Sequence, residues 1–254
     1  MGLITLFKRV AVVSLLVMAV TYFTKDSLPT PDYYDQAVIR EPIQNKINKK
    51  PFEIEVNQER YQITPKYDYR LEGVVVSTHN ADAFLDMRHH EEWRDFLNIR
   101  DLCVIWGDNV KNGVYKEMDF SNGDWTCWYS WPNAAVRQHF RSDQLSNNHL
   151  LAEKEAIKQS IMEAEPGDHI HLEGMLVEYA NPANRFKRGT STSRTDSGQG
   201  ACETIYVEKF EIIQKANALA RNLFQVAKVL FALSLISLVF LYFTQSRKPD
   251  TISS

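Results

Sequence analysis

The chain is poor in the residues that announce chemistry. Among 254 residues it has three cysteines, Cys103, Cys127 and Cys202. They fit neither a CxxC redox pair nor a zinc-ligand spacing. No GxSxG elbow, phosphate-binding GxxxxGK loop or HExxH helix occurs, so the common hydrolase, nucleotide-binding and zinc-protease signatures are missing. Charge of one sign is lacking too. A formal net charge of −3 leaves no global footprint for nucleic acid, and none is expected as a partner. Neither long apolar run carries a GxxxG pattern for helix dimerisation. No cofactor, metal or small-molecule substrate is expected from these absences.

Two long apolar runs are present. Leu223 to Phe243 holds Lys228 as its only charge, and about 20 apolar residues in a helix cross a bilayer core. Lys228 sits near one end and can snorkel. At the other terminus, Val10 to Phe23 follows Lys8 and Arg9 and ends in TYFTKDSLP. The absence of a small-x-small cleavage site there reads as an uncleaved signal anchor. Lys8 and Arg9 precede the first run, and Arg247 and Lys248 follow the second. Positive residues stay inside. Both termini are therefore expected in the cytoplasm, with the domain between them in the periplasm of a bacterial inner membrane. The expected organisation is an anchor at 1–24, an extended linker at 25–50, a soluble domain at 51–213, a second span at 215–245 and a short tail at 246–254.

Between the spans, strand signals dominate. Phe52, Ile54 and Val56 alternate with polar residues, the pattern of a half-buried strand. Tyr67 to Ser77, His169 to Ala180 and Thr204 to Ile213 read the same way, and Gly73 suggests a bulge or tight coil. Arg100 to Gly107 and Trp125 to Trp131 are apolar runs of strand length, the second preceded by a turn at 121–124. A hairpin of these two would set Cys103 beside Cys127, and a disulfide between them is expected, leaving Cys202 unpaired. Residues 81–97 and 147–165 read as helices, capped by Asn80 or Asp82 and by Ser146 or Asn147. The domain thus has a helical, Trp-rich insertion at 82–166.

Three groups of residues are candidates for a site. Arg188 to Glu203, RGTSTSRTDSGQGACE, is a Ser/Thr/Gly-rich loop. Gly198 and Gly200 permit unusual backbone, and Arg194 can clamp Asp196 or Glu203 bidentately. This loop is the expected binding surface. Trp125 and Trp128 are candidates for an aromatic platform, although strand alternation sets them on opposite faces. His169 and His171, at i and i+2, share one face and could supply two metal ligands, but a third is not evident.

The segments EGVVVS, GDHIHLEGMLVEYANP and CETIYVEKFEII resemble the strand pattern of an OB-fold, a small Greek-key barrel. The stretches YDYRLEGVVVS and RTDSGQGACE look like a group of uncharacterised bacterial membrane-anchored envelope proteins, which supplies no activity to carry over. The expected class is mainly β with inserted helices (α+β), an OB-like barrel flanked by two transmembrane helices. Such a barrel implies a binding or assembly module with protein partners in an envelope complex, besides the lipid bilayer. A thermonuclease-like enzyme would use Arg194, Asp196 and Glu203 around calcium, though at a spacing that family does not have. A haem or metal chaperone would use His169 or His171.

Overall fold

A computed structural model describes residues 2–81, 93–123, 125–196 and 201–246 and divides the chain into two units. One comprises the terminal helices, α1 (Leu3–Tyr22) and α5 (Ala218–Ser246). Both are long and apolar enough to cross a membrane. They pack along small side chains: Ala11, Ser14 and Thr21 on α1 and Ala227 and Ser234 on α5 are buried. The hydroxyls of Thr21 and Ser234 bond back to Val17 and Leu230 carbonyls at 2.7 Å, which satisfies them without water. The Tyr22 and Phe224 rings lie 6.5 Å apart, and Arg221 Nε donates to the Lys25 carbonyl. The end of α1 therefore meets the start of α5, and the two run antiparallel.

The second unit, Leu28–Ala216, is mixed α/β and built on one large sheet. Its strands are β1 (Ile43–Lys46), β2 (Phe52–Val56), β3 (Glu59–His79), β4 (Asn98–Ile105), β7 (Leu145–Leu151), β8 (His169–Asn181), β9 (Phe186–Arg188) and β10 (Glu203–Gln214). A separate hairpin pairs β5 (Asp119–Gly123) with β6 (Thr126–Ser130). Helices are short: α2 (Asp108–Lys111), α3 (Ala134–His139) and α4 (Glu155–Met162). Strand β3 pairs with β4, β4 with β7, β7 with β10, β10 with β8, and β8 with β3 again. The circuit returns to its start, and only the β7–β10 pairing is parallel. One face of it carries the principal core, with Leu71, Leu102, Val104, Trp106, Leu150, Leu172 and Ile205. A second cluster, including Tyr61, Leu97, Leu151, Val177 and Tyr179, packs on the other face under β2.

Several sequence expectations are corrected. Residues 25–50 are not an extended linker throughout. From Leu28 the chain belongs to the domain, forms two 3-10 turns and β1, and buries Tyr34 and Val38 against Val74, Val76 and Tyr115. Pro29, Pro31 and Pro42 start and flank these turns. The helix expected at 147–165 is β7 followed by the eight-residue α4. Adjacent Leu150 and Leu151 pack on opposite faces of the sheet, a two-sided burial that mimics helical spacing. Of the helix expected at 81–97, residues 82–92 lie outside the described residues, and Trp93 to Phe96 are not helical. Gly73 is not a bulge, since the register shifts fall at Pro65/Tyr67 and Val75/Ser77. A Cβ at Gly73 would meet Val104 Cγ1 at 2.6 Å, so the glycine serves close packing. The Trp-rich run pairs with β5, not with β4. Of the turn expected at 121–124, residues 121–123 are strand and position 124 lies outside the described residues, while Trp125 takes φ 65°.

Candidate functional site

The central strands place a row of polar side chains on the face opposite the principal core. Register sets Cys103 beside Asn147 and Asp101 beside His149 across β4 and β7, and Thr204 beside His149 across β7 and β10. Asp101, His149 and Thr204 have no exposure at all. Arg188, at the end of β9, and Trp125, at the tip of the β5–β6 hairpin, cover this row.

Arg188 Nη2 lies 2.5 Å from His149 Nε2. A guanidinium only donates, so Nε2 accepts and the imidazole proton is on Nδ1. His149 Nδ1 then donates to Asp101 Oδ1 at 2.6 Å, and Asn98 Nδ2 donates to the same oxygen at 2.9 Å. This is the tautomer of an oriented imidazole, neutral and backed by a carboxylate. The Arg188 guanidinium stacks 3.6 Å from the Trp125 ring centroid, and Trp125 meets the His149 ring edge-on at 5.0 Å. Among the described residues no carboxylate pairs directly with Arg188, and its Nε has no partner. Burial pushes its pKa down, because a desolvated cation without a counter-charge is costly.

Arg194 is held differently. Its Nη1 is 2.9 Å from Glu203 Oε1, Nη2 reaches Gln44, and the guanidinium rests 5.2 and 5.4 Å from the Tyr69 and Trp106 rings. Trp106 Nε1 in turn donates to Glu41. Burial pushes Glu203 up to about 8 against the pull of Arg194. Asp196 does not join this pair. It accepts from Ser191 Oγ at 2.7 Å, within a knot of hydroxyl and backbone bonds that orders residues 190–196. Gly198 and Gly200 lie outside the described residues.

The sulfurs form a third group. Cys103 and Cys127 are joined in a disulfide with Cα atoms 5.8 Å apart. The bond ties the β5–β6 hairpin down onto β4, where the sequence suggested two strands of one hairpin. Cys202 is a free thiol that donates to the Trp125 carbonyl at 3.3 Å and receives Asn147 Nδ2 at 3.7 Å.

Trp125 and Trp128 do not make one platform. Trp125 is half-buried on Arg188, while Trp128 is 64% exposed on the far side of β6. His169 and His171 are engaged by carboxylates. His171 lies between Glu72 and Glu173 at 3.2 and 2.7 Å, and His169 faces Glu72 and Gln214. Burial holds the His169 pKa down. Among the described residues no group of His, Cys, Asp or Glu is arranged to hold a metal, so neither these histidines nor Arg194, Asp196 and Glu203 form a cation site there. Sequence reasoning missed Asp101, His149, Asn147 and Arg188. No clear local signal marked them, since SNNHLL has no clean alternation and was absorbed into the expected helix. No family model, curated protein or solved structure matches the chain.

Proposed function

We propose that this chain is a membrane-tethered, non-enzymatic binding or assembly module, anchored in the inner membrane with residues 28–216 on the periplasmic side as part of an envelope complex. The antiparallel α1 and α5 supply support, since such a pair returns both termini to one side. Lys8 and Arg9, in the N-terminal part of α1, and Arg247 and Lys248, which follow α5 in sequence, favour the cytoplasm for that side. A disulfide suits an oxidising compartment. The five-strand circuit with a single parallel pairing favours the OB-like reading, a fold that binds its partners on one barrel face and the adjoining loops.

The observation that carries the binding role is Trp128. A tryptophan 64% exposed stands on a hairpin fixed by a disulfide and by the Asn122–Asn147 and Ser77–Asn122 hydrogen bonds. Rigidly displayed tryptophan is the side chain most enriched at binding hot spots. Trp131, with Arg137 stacked on it at 5.3 Å, extends the surface toward α3. The part of the loop ordered by hydrogen bonds, residues 190–196, is the second part of the contact surface. The test is site-specific photo-crosslinking at position 128 in cells, with co-purification of Trp128→Ala in mild detergent. A discrete crosslinked protein that Trp128→Ala no longer retains is the expected result. Identical recovery with the variant overturns the contact surface. A cytoplasm-only reporter that is active when inserted at Gly189 overturns the orientation.

A further inference from the structure

The three cysteines lie around one side chain, Asn147. Across β4 and β7, Cys103 is its register partner. On the other side, Asn148 pairs with Glu203 in the parallel β7–β10 ladder, which sets Cys202 beside Asn147, and the Asn147 Nδ2 contact to Cys202 Sγ confirms the shared face. Above, Asn122 donates to Asn147 Oδ1 at 2.8 Å, and Asn122 is the cross-strand partner of Cys127. The Cys202 thiol touches the Trp125 carbonyl, in the peptide bond to Thr126, one residue short of Cys127. Cys127 is half-buried, whereas Cys103 has no exposure. A free thiol thus faces the hairpin strand that carries the accessible sulfur of the disulfide.

We infer that Cys103, Cys127 and Cys202 form a thiol–disulfide exchange site in which Cys127 is the shared sulfur. The Cys202 thiolate attacks Cys127 Sγ. The Cys103–Cys127 bond breaks, Cys127–Cys202 forms, and the electron pair leaves on Cys103, which takes up the proton that Cys202 has lost. The step is an isomerisation and needs no oxidant. Cys103 and Cys202 cannot pair with each other. One strand separates them, and two strand spacings of about 4.8 Å put their Cα atoms about 10 Å apart, beyond the reach of roughly 7 Å that a disulfide allows. Exchange would draw the hairpin from β4 toward β10 and shift Trp125 on Arg188, so the pairing state acts on the Arg188–His149 face. Burial, with the nearby Glu203 and Asp101 carboxylates, holds the Cys202 thiol pKa up, against Asn147 and Arg188. The thiol is therefore mostly protonated at neutral pH, little of it is poised to attack there, and exchange quickens by about tenfold per pH unit below the thiol pKa.

The experiment uses the full-length chain in detergent, incubated in a glutathione redox buffer, acid-quenched and mapped by non-reducing peptide mass spectrometry. Cys103→Ser is expected to form Cys127–Cys202 in most molecules, while Cys127→Ser leaves Cys103 and Cys202 unlinked to each other. Cys103→Ser with Cys127 and Cys202 both free, or each carrying only glutathione, overturns the inference. So does a Cys103–Cys202 link in Cys127→Ser. The unaltered protein supplies a check that needs no refolding. After incubation from pH 7 to 9, alkylation should find Cys103 in a growing minority of molecules. Labelling confined to Cys202 across that range also overturns the exchange.

Discussion

Arg188 and Arg194 are six residues apart in one polar stretch, and each lays its guanidinium against aromatic rings. Arg194 has a carboxylate at 2.9 Å. Arg188 has a neutral imidazole at 2.5 Å and reaches the Asp101 charge only through it. The closer stack, 3.6 Å on Trp125, belongs to the arginine without the ion pair. Proximity of a cation to rings is thus no measure of how well its charge is met. Arg194 anchors a loop and neutralises a buried acid. Arg188 is a largely desolvated cation whose remaining donors are uncommitted, and its energetic margin is correspondingly thinner.

The comparison breaks most sharply at Asp101. Asp101→Ala leaves His149 Nδ1 and Asn98 Nδ2 without their buried acceptor. It should cost about 3–5 kcal/mol, measured as a lower urea midpoint of tryptophan fluorescence for the chain in detergent. Arg194→Ala follows, at roughly 1–3 kcal/mol near neutral pH. Its penalty should grow between pH 8 and 9, where the unaltered Glu203 ionises beside Arg194 and the variant must hold the acid protonated. Arg188→Ala should cost only about 1 kcal/mol, because a desolvated cation–π contact of about 2 kcal/mol is offset by removing an unpaired buried charge. If Arg188→Ala proves more damaging than Arg194→Ala, Arg188 is not the more weakly held of the two arginines.

A pH titration sharpens the same contrast. Glu203 has its folded pKa raised to about 8, above the ordinary glutamate value. Between those two values the folded domain holds a proton that the unfolded chain has released. Stability contributed by this group therefore falls as pH rises through that window, by up to about 1.4 kcal/mol per pH unit. Glu203→Gln should flatten the slope, read from urea midpoints between pH 5 and 9. The smallest effect is expected at Trp128, where Trp128→Ala should change stability by no more than about 0.5 kcal/mol.

The strands were legible where one face is buried and the other wet. Phe52 to Val56 and the run from His169 carry period-2 alternation, and both are strands. The register could not be read locally. Strand β7 is hydrogen-bonded on both edges and buried on both faces, so SNNHLL shows neither a clean helical stripe nor a clean alternation. The Arg194–Glu203 pair could be foreseen because both residues lie in one short loop. The Arg188–His149–Asp101 chain could not, because its members come from β9, β7 and β4 and meet only through the closing of the strand circuit.

The apolar length of Leu223 to Phe243 and of the run after Arg9, the charges around them and the alternation of the strands are properties of consecutive residues, and the sequence by itself determined them. Solvation of a segment by lipid or water depends on its own composition, so no distant residue is needed to decide it. Which polar groups face one another was decided only by tertiary structure. Asn147 stands among Cys103, Cys202 and Asn122 because three strands and a hairpin converge there from positions up to 99 residues apart in sequence. Hydrogen bonds and ion pairs act over a few ångströms, and only the packing of the backbone brings such distant residues within that range.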